Sequence, residues 1–236
     1  MKRFYKDVSV AERSVLLDGK ALKTPRGDGL VLPTPALAEA VAEEWRGQGD
    51  VIVPAEMPLT RLANTAIDGV APRREEVVDE IAAFARHDHI CYRTDAPAEL
   101  VRRQNAAWDP LLDWAAERYG APLRPAHGVT SIAQPEASLA ALEVAVEAFD
   151  PFALAALHVV ASICGSLVLA LAVADRRLTA AEAFAASQID ERYQAEKWGL
   201  DAEAEARARR LEAELDAAAR FMDLSRTDPR TEAAPP

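Results

Sequence analysis

One carboxylate stands where packing alone does not account for it. Phe184, Gln188, Glu191, Ala195 and Trp198 recur at i, i+4, i+7, i+11 and i+14, which places them on one helix face. Burying Glu191 alone would cost several kcal/mol. Two readings follow: a rim position paired with a neighbour such as Arg192, or a partner-binding face whose apolar anchors hold and whose charge selects. Other groups offer less. His87-Asp88-His89 is the one histidine cluster. An i, i+2 pair can chelate a metal from a strand, but on a helix the rings point apart. No third ligand follows, so a capping or surface role is expected and no metal. The glycines of Pro25-Arg26-Gly27-Asp28-Gly29 precede no Gly-Lys-Ser/Thr, so they read as a turn and not a phosphate loop. Four scattered histidines and no Gly-x-Ser-x-Gly leave no acid–base or nucleophile constellation. No catalytic residue and no cofactor is expected. Cys91 and Cys164 share no motif, and the second lies in an apolar run. That suits a reducing compartment.

The elements that must carry the stripe are helical. Phe152–Ala174 holds no charged side chain. Spanning a bilayer takes roughly 20 apolar residues, so length permits a membrane helix. Its alanine content and the polar middle around Gly165-Ser166 argue for a buried core segment, with a bend where two shorter helices meet. Thr179 and Glu182 form a capping box for a helix expected to reach Trp198, with Gly199 as its stop. Asp201 should cap a last helix with the stripe Ala204, Ala208, Leu211, Leu215, Ala218 and Met222. Further helices are expected after Thr34-Pro35, with Leu37, Val41 and Trp45 inward, and over 59–68 and 72–85. Another should run from Pro97 to Tyr119, where Pro110 suggests two abutting helices, and one should begin at a Ser138 cap. The first thirty-odd residues read as β structure around an Asp18-Gly19 hairpin, and Val129–Ile132 as a short strand. The fold class is therefore α+β: a small β-containing N-terminal domain over 1–95, a mainly α-helical domain over 96–224, and a disordered tail over 225–236. The formal charge is −11, yet residues 1–26 hold seven Lys or Arg against three acids. Nucleic acid is thus an unexpected partner, and the acidic helices read as a solvated or docking face. Phe4-Tyr5-Lys6-Asp7 follows Lys2-Arg3 where a signal would be apolar, so a cytoplasmic protein is expected.

Four blocks resemble a known family. They are Arg3-Phe4-Tyr5-Lys6 with Leu17-Asp18-Gly19-Lys20; Glu44-Trp45-Arg46-x-Gln48 with Met57-Pro58-Leu59-Thr60-x-Leu62-Ala63-Asn64-Thr65; Tyr92-Arg93 with Gln104 and Trp108-Asp109-Pro110-Leu111; and Asp190-Glu191-Arg192-Tyr193-Gln194-x-Glu196-x-Trp198-Gly199-x-Asp201-x-Glu203. The chain is similar to the assembly chaperones that hold the free α subunit of ATP synthase. The resemblance implies an ATP-independent chaperone, not an enzyme, that shields the β-facing surface of that subunit until assembly. It implies the same two-part fold and, without the presequence of eukaryotic relatives, a bacterial cytoplasmic form. A monomer without membrane insertion is expected. The residues expected to meet the client are Glu191, Glu196, Trp198, Asp201 and Glu203, with Trp45 as an outside candidate more at home in a core. An acidic helical scaffold for another partner is the alternative.

Overall fold

The computed structural model describes residues 1–128, 132–199 and 201–226. Its residues group into two compact units. The first comprises Met1–Arg74, Asp150–Ala156 and Arg220–Pro236; the second comprises Glu75–Phe149 and Leu157–Ala219. The charge is divided unequally between them. The second unit has 13 Lys or Arg against 24 Asp or Glu, which is the whole −11, and the first has 14 against 14.

In the first unit, β1 (Val8–Ala11), β2 (Ser14–Leu17) and β3 (Lys20–Ala21) form an antiparallel meander with Val10 opposite Val15 and Leu17 opposite Lys20. Asp18 and Gly19 both have positive φ, 48° and 77°, as a two-residue turn between right-twisted strands requires. Helix α1 (Pro35–Arg46) starts where Thr34 Oγ1 accepts the Leu37 N–H, and it buries Leu37, Val41 and Trp45. Glu44 then caps α2 (Pro58–Thr65): its carboxylate accepts the N–H groups of Leu59 and Thr60 at 2.7 and 2.8 Å, and the Thr60 hydroxyl. These two amide donors at the helix start would otherwise need water. Trp45 is 8 % exposed, packs edge-on against Tyr5, and accepts the Tyr5 hydroxyl at its carbonyl.

The second unit is nearly all helix: most of α3 (Arg74–Ala82), α4 (Ala98–Tyr119), α5 (Glu136–Glu147), α7 (Leu167–Ala174), α8 (Ala180–Ser187) and α9 (Ile189–Trp198), with β4 (Tyr92–Arg93) parallel to β5 (Ala126–His127). Two helices, α6 (Pro151–Cys164) and α10 (Ala202–Ser225), contribute residues to both units. The apolar run breaks at Gly165, whose φ is +62°, into helices of 14 and 8 residues. Among the described residues no helix is long and apolar enough to cross a membrane. Ser166 caps α7 through the Leu169 N–H. Asp88, fully buried, accepts the N–H of Val168 at 3.0 Å and of Ile90 at 3.2 Å, and a hydrogen bond from the Ser166 hydroxyl. The His89 N–H closes on the Gly165 carbonyl at 2.9 Å. Around this clasp, the Trp108 indole donates to the Ala186 carbonyl, and the Arg93 guanidinium lies over its ring while pairing with Asp109 at 2.9 Å.

Several expectations need correction. Residues 98–119 form one helix that runs through Pro110. Ser138 is no cap: α5 starts two residues earlier, and the Ser138 hydroxyl donates to the Pro122 carbonyl. Residues 66–70 are a wider turn after α2, and α3 begins at Arg74. The capping box at Thr179 and Glu182 is present, but it opens only α8, because Gln188 leaves helical geometry before α9. Ser225, expected in the tail, is the buried last residue of α10. The division at residue 74, with two later segments returning to the first unit, differs from the expected boundary at 95/96. Of the strand expected at Val129–Ile132, residues 129–131 lie outside the described residues, as does the tail beyond Arg226, and Ile132 is not in a strand.

Trp45→Ala should lower the unfolding free energy by about 3–5 kcal/mol, the cost of emptying an aromatic core site; a shift below 1 kcal/mol in urea melts would contradict that burial. Burial raises the Asp88 pKa to about 6 despite its hydrogen bonds. Folding therefore strengthens its proton binding, so its stabilising contribution is complete below about pH 4 and is lost as pH rises through 6. The stability gap between the chain and its Asp88→Asn variant should change by about 3 kcal/mol between pH 4 and pH 7, with the unsubstituted chain losing more as pH rises. A pH-independent gap would show that Asp88 does not titrate there.

Candidate functional site

Helix α9 has two working faces. Towards α4, the Arg103 guanidinium joins Glu99 at 2.7 Å and Glu196 at 2.8 Å, while Lys197 reaches Glu99 at 3.3 Å. Both cations also lie over the Tyr193 ring. One turn earlier, the Gln104 amide donates to Asp190 at 2.7 Å and its carbonyl oxygen accepts the Thr94 N–H. These contacts lower the carboxyl pKa values of Glu99 and Glu196 through the Lys197 and Arg103 hydrogen bonds, and they fix the rotation of α9. Its other face is thereby aimed away from α4.

That other face opens on a groove of about 790 Å³ within the second unit. Its floor is Ile163, Phe184, Ala195, Ala204, Ala208 and Leu211, and its walls carry Glu191, Arg192, Glu196, Arg207, Arg209 and Glu212. The stripe along α10 explains why the groove stays open. Leu215, Ala218 and Met222 are buried, while Ala204 is exposed and Ala208 and Leu211 are half-buried. The same helix face thus loses its covering element towards its N-terminus. Small side chains keep the floor shallow and limit the apolar area shown to water. Asp201 and Glu203 are exposed on the adjoining depression with Ala204, Arg207 and Arg210.

The expected site residues are accordingly dispersed by role. Glu191 is exposed on the groove wall, and among the described residues neither it nor Arg192 enters an ion pair. The proposed rim pairing of these two is therefore absent. Glu196 is shared between the wall and the Arg103 pair. Trp198 does not line the groove: it stands 79 % exposed at the end of α9, where Gly199 turns the chain with φ +89°. Phe184 is buried at the groove floor, so the expected aromatic stripe has one anchored and one free end. Trp45 is in the core of the first unit and offers no surface. The residues that sequence reasoning did not place at the site are the α10 floor positions Ala208 and Leu211, read only as part of one continuous stripe, and Ile163. A signal was present: α10 begins Ala-Glu-Ala-Glu-Ala-Arg-Ala-Arg, which has no large side chain to attract a covering helix.

Among the described residues, no three His, Cys, Asp or Glu side chains stand together as a metal site. Burial raises both thiol pKa values, that of Cys164 to about 12, so neither thiol is a nucleophile at neutral pH.

Comparison with known proteins places this geometry. The crystal structure of Atp12 from Paracoccus denitrificans superposes with a TM-score of 0.92 at 46 % identity, covering 95 % of this chain and 98 % of that one. The chain belongs to the ATP12 chaperone family. A family model described as ATP12 chaperone protein matches residues 2–116. The Atu1473 protein of Agrobacterium tumefaciens superposes with a TM-score of 0.92 at 42 % identity, over 95 % of this chain and 86 % of that one. Protein atp12, mitochondrial, of Schizosaccharomyces pombe is 25 % identical over 214 residues, 84 % of this chain and 74 % of that protein. ATP12-family proteins are chaperones of ATP synthase assembly, and this chain is one of them.

The four indoles differ in their access to water, which gives the site an optical handle. Trp108 is fully buried, Trp45 nearly so and Trp114 half-buried, against 79 % exposure for Trp198. Trp198→Phe should remove the largest single share of the acrylamide-quenchable emission, leaving that of Trp114, and shift the remaining spectrum to shorter wavelength. Unchanged quenching would place the accessible indole elsewhere.

Proposed function

We propose that this ATP12-family chaperone binds the unassembled α subunit of ATP synthase, shields its β-facing surface, and yields it during assembly without using ATP. The observation that carries the reading is the open groove beside α9 and α10, with an apolar floor and a charged wall, together with the exposed tryptophan that ends α9 outside the groove. Interfaces concentrate affinity in a few apolar and aromatic anchors, and charges around them set partner choice and encounter rate. In this reading Trp198 and the alanine-rich floor are the anchors. Glu191, Asp201 and Glu203, with the exposed half of Glu196, recognise basic side chains of the client. The net −11 of this unit favours such a partner at a distance. Hydrolysis has no part in the cycle: release follows from competition, since a client face that pairs with the β subunit cannot remain on the chaperone. A monomer acting in the cytoplasm completes the proposal.

The decisive experiment is a pull-down of purified α or β subunit on the tagged chain without nucleotide. Selective capture of α, lost as excess β is added, is the expected result; equal capture of both, or of neither, would overturn the reading. Glu191→Lys and Ala208→Glu should each weaken α capture at least about tenfold, roughly the 1.4 kcal/mol of one interface contact. Both variants should keep the melting temperature, because Glu191 is exposed, Ala208 is only half-buried, and Lys and Glu are good helix formers. Unweakened capture by both would move the contact surface away from the groove.

A further inference from the structure

The basic beginning of the chain forms an open edge in the first unit. Met1–Arg3 runs antiparallel to Asp50–Ile52, with the Arg3 N–H on the Asp50 carbonyl at 2.9 Å, the Ile52 N–H on the Met1 carbonyl at 2.7 Å, and Lys2 opposite Val51. In this register the Lys2 N–H and C=O point away from the neighbouring strand. Among the described residues, the backbone groups of Lys2 and Phe4 have no partner. The side chains alternate. Tyr5 is buried and Arg3 half-buried, whereas Lys2, Phe4 and Lys6 face outward; across the pair Ile52 is buried while Val51 and Val53 face outward. Phe4, Val51 and Val53 are 62, 54 and 37 % exposed, and Lys2 and Lys6 flank them in sequence. Arg3 adds a third cation. Its guanidinium lies over the Tyr5 ring and donates to the carbonyls of Gln48, Tyr5 and Lys6, and it pairs with no carboxylate among the described residues. Acids border the edge as well: Asp50 lies opposite Arg3 in the paired strand, Asp7 follows Lys6, and Asp18 accepts the N–H groups of Lys6 and Asp7 and offsets part of the Lys6 charge.

We propose that this edge receives an extended acidic segment of a protein partner as an additional strand. The free backbone groups of Lys2 and Phe4 supply the ladder, Phe4 and the two valines supply apolar contact, and the cations select carboxylates. A lipid surface suits the edge less well. It cannot complete a backbone ladder, and three apolar side chains are few for interfacial anchoring. The edge lies in the first unit, so it stands or falls independently of the α-subunit reading, which rests on the second.

The test uses the full chain, isotope-labelled, titrated with a capped synthetic peptide of alternating glutamate and valine and, in parallel, with one of alternating lysine and valine. The acidic peptide should shift the amide resonances of Lys2–Lys6 and Val51–Val53, and its affinity should fall as salt is added. The double variant Lys2→Glu/Lys6→Glu should weaken binding at least about tenfold, and Phe4→Ser should weaken it with the charges intact, both at unchanged melting temperature. No binding, equal binding of the basic peptide, resonance shifts confined to the second unit, or binding of phosphatidylglycerol vesicles in place of the peptide would each overturn the proposal.

Discussion

The helical unit depends on a carboxylate held out of water. Asp88 has no exposed surface, and its oxygens meet the backbone N–H groups of Ile90 and Val168 and the Ser166 hydroxyl. The bond to Ile90 is local, whereas those to Val168 and Ser166 join pieces that sequence keeps far apart and stitch residues 88–91 to the start of α7. The break at Gly165 and Ser166 makes this possible. A continuous helix through 152–174 would have no free N–H groups in its middle; a break with positive φ at Gly165 exposes a new helix start, whose orphan donors and partial positive charge attract an acid. A side chain at Gly165 would strain that φ, although its Cβ would meet the His89 Cβ at an ordinary contact distance of 3.5 Å. The desolvation of Asp88 is offset only while all of these partners stay in place, so the clasp specifies one arrangement of α7 and no neighbouring one.

Once α7 is placed, the rest of the unit follows by contact. Trp108 on α4 packs against His89 and donates its indole N–H to the Ala186 carbonyl of α8. The Glu99, Arg103, Tyr193, Glu196 and Lys197 cluster then sets the rotation of α9 about its axis. Exposed ion pairs of this kind contribute little to stability. Their value here is orientation: they leave Glu191, Arg192 and Ala195 on the groove side.

Local rules carried much of this into the sequence. The Asp18-Gly19 turn, the Thr34 cap, the Thr179 capping box and the apolar period of α1 depend on residues within one or two turns of each other, so spacing alone reveals them. Asp88, Glu44 and Ser138 do not. Their partners lie 80, 15 or 16, and 16 residues away, and nothing local distinguishes a carboxylate that caps a distant helix from one that faces solvent. The same limit explains the groove. The α10 stripe was legible as a helix face, but whether a face is covered depends on which other element reaches it. Covering stops between Leu215 and Leu211, within a periodicity that does not change. The resemblance blocks divide in the same way. Glu44, Gln48, Arg93, Gln104 and Asp190 all enter hydrogen bonds or ion pairs inside the fold, so a family motif alone does not separate scaffold from contact surface.

A chaperone surface faces opposing demands: it must be apolar enough to hold an interface destined for another subunit, yet it must not collapse on itself or on a second copy. The α10 floor meets both with size instead of polarity. Alanines at 195, 204 and 208 expose little apolar area in the free chain and lose little side-chain entropy on contact. Leucine or phenylalanine there would hold more tightly, but would also enlarge the exposed apolar patch that invites self-association. Acidic excess adds repulsion between copies, and it falls wholly within the unit that contains the groove. In the proposed reading, weak floor, charged wall and one exposed indole form a consistent set: affinity would come from a client matching all three at once, with no single element sticky enough to retain a wrong one.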